Sequence, residues 1–409
     1  MKKIRATALM TTSVLLVSCG SISADATDLT AVYTAKQTIQ QDLSDEFIRG
    51  QTAFALNLLQ NTAKAKPDEN ILLSPYSLMQ QLAMSANGAA GNTAREMTGV
   101  LAGEMPIDKL NEQMSAWRGN QPDTSQCRLV TANSIWLRNT VSQNIRQEFL
   151  QTNADFYNAA VYSAPFDHQT VKDVNNWVKD KTDGMINKLI EEFEPNQMML
   201  LLNAVSFDAK WETQYQKENV QKKQNFHAAD GTLQTVTMLR SDESRMINGD
   251  NWIGFKKAYD GCYDFCAILP DEGISPAELL GSLDTNALLQ QTSYAQIDAK
   301  IPVFSYDDDN QLNDALNSMG IHEAFTNDAD FSGMTGYKSL LIGKVLQKTH
   351  IELDADGTRA GAASSVGMKT KSMAPTEQLK IVLDRPFIYL IADRTTGIPV
   401  FTGIVQSVG

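Results

Sequence analysis

Cysteine is scarce in this chain, with four among 409 residues: Cys19, Cys127, Cys262 and Cys266. Cys19 falls in an N-terminal processing segment. Three remain, an odd number, so a disulfide framework is not expected to hold the fold together. The spacing from Cys262 to Cys266 would put both on one face of a strand, too far apart to bond easily. Core positions suit Cys262 and Cys266 better than a metal or redox pair. Histidine is equally rare: His168, His227, His322 and His350. None forms a metal-binding pair, since His322-Glu323 lacks a second histidine at the required spacing. There is no Gly-x-Ser-x-Gly elbow, phosphate-binding Walker loop or dinucleotide fingerprint. Glu352-x-Asp354-x-Asp356-Gly357 imitates the start of a calcium loop, but its closing position falls on Ala363, which has no carboxylate to give. A Ser/His/Asp triad assembled from distant positions stays open, so a hydrolase is kept as the weaker hypothesis.

Positive charge is also in deficit. The 35 Lys and Arg face 48 Asp and Glu, a formal net charge of −13. That balance argues against nucleic acid or anionic lipid as a partner through bulk electrostatics, and no basic stripe marks a polyanion cofactor site. No internal repeat or Pro/Gly-rich linker divides the chain after residue 45, and 43% apolar content indicates a packed globular protein. One large α+β domain is the simplest architecture.

What is present begins with an export signal. Lys2, Lys3 and Arg5 precede a short apolar run, Ala6 to Val17, too short to span a bilayer permanently. Leu16-Val17-Ser18-Cys19 resembles the lipobox of bacterial lipoproteins. Residues 1–18 are thus expected to be a signal peptide, Cys19 the lipid anchor, and 19–42 a polar tether from an envelope membrane. The plainer alternative is a secretory signal cleaved near Ser18 or Ala24. Either way the chain is expected to be exported, either anchored at the outer membrane or cell surface or secreted.

Hydrophobic patterning supplies the elements. Phe47–Leu59 has helical spacing, and Ser74 can cap a buried helix opening at Pro75. Arg128–Leu137 and Val161–Phe166 read as strands and Gln147–Tyr157 as a helix. From Val174 an amphipathic segment runs to an interruption at Gly184. Met198–Trp211 is nearly continuously apolar, as in a strand buried on both faces. Asn225–Leu269 is strand-rich and ends in the turn signal Leu269-Pro270-Asp271-Glu272-Gly273. Helices at 276–289 and 311–319 flank a strand at 295–303. Strands at 378–383, 386–392 and 397–405 close the chain.

The stretch Lys344–Ser372 is different. Val345–Leu353 is strand-like, but after Asp356-Gly357 nearly every residue up to Ser365 is small. At period two, one face carries Thr358, Ala360, Ala362, Ser364, Val366 and Met368. The other carries Arg359, Gly361, Ala363, Ser365, Gly367 and Lys369. The segment has too little bulky apolar surface to order itself, so it reads as a loop able to become a strand if a slot were opened. A small-residue surface loop is the bland alternative.

Separated blocks stand in a fixed order over about residues 45 to 409. These are Asn70-Ile71 with Ser74-Pro75-x-Ser77; Asn175, Trp177, Val178, Thr182, Gly184 and Ile186; Asn203-Ala204, Phe207, Lys210 and Trp211; and Leu269-Pro270-Asp271. Met319-Gly320-Ile321, Phe325, Ala329-Asp330 and Ser332-Gly333 precede the loop, and Asp384-Arg385-Pro386-Phe387 and Phe401-x-Gly403 follow it. In this order the blocks resemble those of the serpin family, and with the lipobox and the lysine-containing loop the set is similar to that of bacterial lipoprotein serpins.

The resemblance implies one serpin-like domain at 43–409, with a central mixed sheet, surrounding helices and a long exposed reactive-centre loop at about 355–380. It implies a suicide inhibitor, not an enzyme: a serine protease attacks the loop and forms an acyl-enzyme, and the loop then inserts into the central sheet. The hinge would be Gly357, Thr358, Arg359, Ala360, Gly361, Ala362 and Ala363. Arg359 departs from the family's usual acidic residue. The shutter beneath the sheet would be Ser74, Ser77, Asn203 and Gln347, with Gln347 where the family commonly has histidine. Counting forward from Gly357 places the cleaved bond at Lys371-Ser372, while counting back from Pro386 suggests a loop about four residues longer than usual. Lys369 (before Thr370) and Lys371 suit trypsin-like enzymes; Val366, Met368, Thr370 and Met373 suit elastase-, chymotrypsin- or subtilisin-like pockets, and some cysteine proteases are included. Expected partners are serine proteases of a host or of competing microbes, held covalently by a monomer. A non-inhibitory serpin-fold carrier or chaperone is the competing reading within the fold, and an envelope-anchored hydrolase the one outside it.

Overall fold

The computed structural model describes residues 26–35, 41–122, 124–182, 184, 186–261, 263–283, 292–338, 340–358 and 378–408. The chain opens with a two-residue strand β1 (Thr27–Asp28), helix α1 (Asp45–Ala65), β2 (Ile71–Leu73) and α2 (Pro75–Ala86). Ser44 caps α1 by accepting from the Phe47 amide, and Ser74 does the same for α2 from Ser77 ahead of a proline at the first turn. All twelve residues of α2 are buried. Then come α3 (Gly91–Ala102), α4 (Ile107–Asn120), β3 (Cys127–Arg138), α5 (Asn139–Ser142), α6 (Gln147–Tyr157), β4 (Ala160–Ala164), α7 (His168–Lys181) and β5 (Met199–Lys210). The strand-rich middle resolves into β6 (Val220–His227), β7 (Leu233–Gly249), β8 (Trp252–Ala258) and β9 (Tyr263–Pro270), followed by α8 (Pro276–Leu280). The last third holds β10 (Ser293–Pro302), β11 (Phe304–Gln311), a helix at Asn313–Met319, β12 (Lys344–Leu353), β13 (Gly357–Thr358), β14 (Leu379–Val382), β15 (Phe387–Asp393) and β16 (Pro399–Val405).

Two sheets organise these elements. The seven-stranded sheet runs β1-β4-β3-β5-β13-β12-β11, and the nine-stranded one runs β14-β10-β7-β8-β9-β15-β16-β2 with β6 paired to β7. Alternation in β5 decides how the first sheet is packed. Leu201 and Val205 join the main core with α2 and the second sheet, whereas Leu200, Leu202 and Ala204 join a smaller cluster with Trp136, Tyr162 and Trp177 on the side of α7. Burial on both faces is why this strand reads as an unbroken apolar run.

Two expectations need correction. Residues 26–35 belong to the stretch read as a polar tether, yet they lie on the domain. Thr27 and Asp28 pair with Ser163 and Tyr162, and the Leu29 amide donates to the Val161 carbonyl at 2.8 Å. The edge strand β4 offers unpaired backbone groups, and this segment covers them. No disulfide was expected to hold the fold together, yet Cys127 is buried and disulfide-bonded; its partner lies outside the described residues. Cys266 is free, and burial pushes its thiol up to about 12, so it stays protonated and unreactive.

Candidate functional site

The site is a slot between β5 and β12. These strands pair in parallel only where Lys344–Lys348 meet Leu200–Ala204. Toward the other end they part, and β13 sits between them. Gly357 and Thr358 pair antiparallel with Lys210 and Ala209 of β5, and Thr358 also faces Leu353 of β12.

A tight turn delivers the chain there. The Asp354 carboxylate accepts from the amides of Asp356 at 2.8 Å and Gly357 at 3.1 Å, and the Asp354 amide donates to the Gly357 carbonyl at 3.0 Å. A side chain at 357 has no room: its Cβ would lie 2.1 Å from the Ala209 carbonyl oxygen. Thr358 is 2% exposed, and its hydroxyl lies 2.6 Å from that of Tyr259. Burial holds the Tyr259 phenol well above its usual range, so this is a neutral hydroxyl pair.

The rim of the slot is aromatic. The Trp211 indole donates to the Asp354 carbonyl at 2.9 Å. Its amide donates to the carbonyl of Asp356 at 3.0 Å, and the Tyr215 amide donates to that of Ala355 at 3.3 Å. Trp211 also stacks on Tyr259 with ring centroids 4.3 Å apart. Every backbone acceptor of the turn from Asp354 to Asp356 is therefore claimed by this segment.

Farther down, where β5 and β12 still pair, a buried polar chain crosses the sheet. Gln347 accepts from the Ser74 amide at 2.8 Å. It donates to the Ser74 carbonyl and to the Asn203 amide oxygen, both at 3.0 Å. Asn203 in turn donates to the Ser77 hydroxyl and to Asn133, and Asn133 donates to Gln80 at 3.2 Å. Glutamine both donates and accepts, which lets one side chain satisfy three groups at once. His350, on the opposite face of β12, instead meets Asp307 at 2.8 Å. The structure thus brings Ser74, Ser77, Asn203 and Gln347 together.

Arg359, Ala360, Gly361, Ala362 and Ala363 of the expected hinge lie outside the described residues. So do Val366, Met368, Lys369, Thr370, Lys371, Ser372 and Met373 of the expected cleavage region, and Cys19. Sequence reasoning missed Asn133, Gln80 and Tyr259. Asn133 had a signal, a polar residue inside the apolar alternation of β3; Tyr259 had none, because its partner lies 99 residues away.

Comparison with known proteins agrees with this geometry. The serpin (serine protease inhibitor) family model matches residues 49–408. Among curated relatives, a serpin-like protein of Thermococcus kodakarensis is 28% identical over 352 residues, 82% of this chain and 80% of its own length. Serpin A3-6 of Bos taurus is 28% identical over 373 residues, 87% of each chain. The crystal structure of tengpin, a thermophilic serpin, in its native state gives a TM-score of 0.87 at 37% identity, covering 94% of this chain and 100% of that one. The latent state of tengpin gives 0.79 at 37% identity, covering 91% and 100%. The chain belongs to the serpin family of serine protease inhibitors.

Proposed function

We propose that this chain is an inhibitory serpin, which traps serine proteases as acyl-enzymes by inserting its cleaved loop between β5 and β12. Serpins are in general protease inhibitors and not enzymes, but some do not inhibit, so the fold alone does not decide. The observation that carries the reading is β13: the first two hinge residues already occupy the slot, in register with both flanking strands. The loop needs only to continue a strand that has begun. Its small residues from Ala360 to Ala363 present nothing bulky to the sheet. At roughly 1 kcal/mol net per hydrogen bond, a dozen newly paired residues would supply on the order of 10 kcal/mol. Parting β5 from β12 loses five in-register pairs, each replaced on both sides by the inserted strand.

Lysine before the cleaved bond, at 369 or 371, suits a protease pocket that carries an acidic residue. Trypsin-like enzymes are the proposed first targets, with elastase- and subtilisin-like enzymes and some cysteine proteases reached through the neighbouring residues. An export segment with a lipid on Cys19 would display the inhibitor on the cell envelope, acting as a monomer.

Mixing the protein with trypsin and running denaturing gels tests this. A covalent complex is the expected result. Cleavage without a complex would mean a carrier of serpin fold. The crystal structure of thyroxine-binding globulin complexed with thyroxine, 23% identical with a TM-score of 0.77, shows that the fold is also found in a ligand complex. Cleavage confined to Arg359 would sink both lysine assignments.

A further inference from the structure

Lys257 is a buried cation, its side chain 3% exposed. An ammonium group in that position is costly unless it is compensated. Here the compensation is specific. Lys257 Nζ lies 3.0 Å from Glu243 Oε1 and 3.2 Å from the Thr213 carbonyl. It also lies over two aromatic rings, 4.5 Å from the centre of Tyr215 and 5.3 Å from that of Trp211. Desolvated cations bind aromatic faces more strongly than exposed ones do. The two rings it holds belong to the residues whose amides and indole grip the turn from Asp354 to Asp356. Trp211 also stacks on Tyr259, the partner of Thr358.

Glu243 and Lys257 belong to β7 and β8 of the nine-stranded sheet, whereas the turn they act on leaves the seven-stranded one. The aromatic segment after β5 bridges the two. The geometry points to Lys257, charge-paired with Glu243, as a positioning residue. It fixes the Trp211–Tyr215 segment, and through it the place where the hinge leaves β12 and the register in which the loop starts to insert. The part concerned with insertion rests on the inhibitory reading; the grip on the hinge does not.

Native-state hydrogen exchange on the full chain tests the grip directly, because the Trp211 and Tyr215 amides donate into the turn. Lys257→Met keeps the aliphatic volume and loses the cation. Exchange at Trp211, Tyr215 and Gly357 should rise roughly tenfold, with α1 and β9 unchanged. Lys257→Arg, which keeps the cation, should stay within about twofold of wild type. If Lys257→Met does not fold, Glu243→Gln carries the test, with a smaller rise at the same amides. Unchanged exchange at the hinge, or an arginine variant as disturbed as the methionine one, would overturn the proposal.

Against trypsin, Lys257→Met should raise the ratio of cleaved to trapped inhibitor roughly threefold at an unchanged cleavage rate. An unchanged ratio would remove the role in insertion. A wild-type protein that is cleaved and never trapped would refute the inhibitory reading and leave the exchange result standing.

Discussion

At the scale of single residues, the proposed insertion can be tested at Thr358. That residue is already buried between two strands with one hydroxyl partner. Arginine there would bring a charge into the sheet with no counterion, and water is available only if the hinge stays out. Thr358→Arg should therefore convert an inhibitor into a substrate: trypsin cleaves the loop at an undiminished rate, and denaturing gels show no complex. Complexes at wild-type stoichiometry would contradict this. Much of this scale is legible in the sequence, since the period-two run of small residues from Thr358 by itself marks one face as able to be buried. The hydroxyl partner is not legible. Tyr259, Trp211 and Lys257 act on the hinge from other parts of the chain, and no local pattern connects them.

At the scale of elements, legibility follows length and regularity. The helix at Gln147–Tyr157 and the strand at Met199–Lys210 carry enough apolar residues at one period to be placed from sequence. The strand β11 was missed because its sequence, Phe304 to Gln311, contains Asp307-Asp308-Asp309, which hides the alternation. The structure explains the run. Asp308 points inward and is compensated by Lys66 at 3.1 Å and the Leu72 amide at 2.8 Å, while Asp307 and Asp309 face out to His350 and Lys348. The helix at Ile107–Asn120 was missed although Leu110, Met114 and Trp117 lie on its buried side.

The disulfide at Cys127 defeats cysteine counting, since an odd number of thiols allows one bond as readily as none. It ties down the first residue of β3, which pairs with Ala209 directly across from Thr358. Reduction and alkylation should lower unfolding stability by about 2–4 kcal/mol, read as a lower urea midpoint. An unchanged midpoint would show that the bond carries no structural load.

At the scale of the whole molecule, the native fold holds a sheet parted at one end and zipped at the other. The aromatic rim and β13 mark the open end, and the Gln347–Asn203 chain crosses the closed one. The zipped network contains no ionisable side chain among Ser74, Ser77, Gln80, Asn133, Asn203 and Gln347, so its hydrogen bonds do not change with protonation near neutral pH. On the proposed inhibitory reading, a molecule arranged in this way would gain a more stable form once the loop is cut.

The most direct measurement is thermal unfolding of the intact protein beside the same protein with its loop nicked by a protease that is then removed. If the cut loop completes the strand that β13 begins, the midpoint should rise by more than about 10 °C, in line with a gain on the order of 10 kcal/mol. An unchanged or lowered midpoint after clean cleavage would mean that the slot between β5 and β12 does not take up the loop.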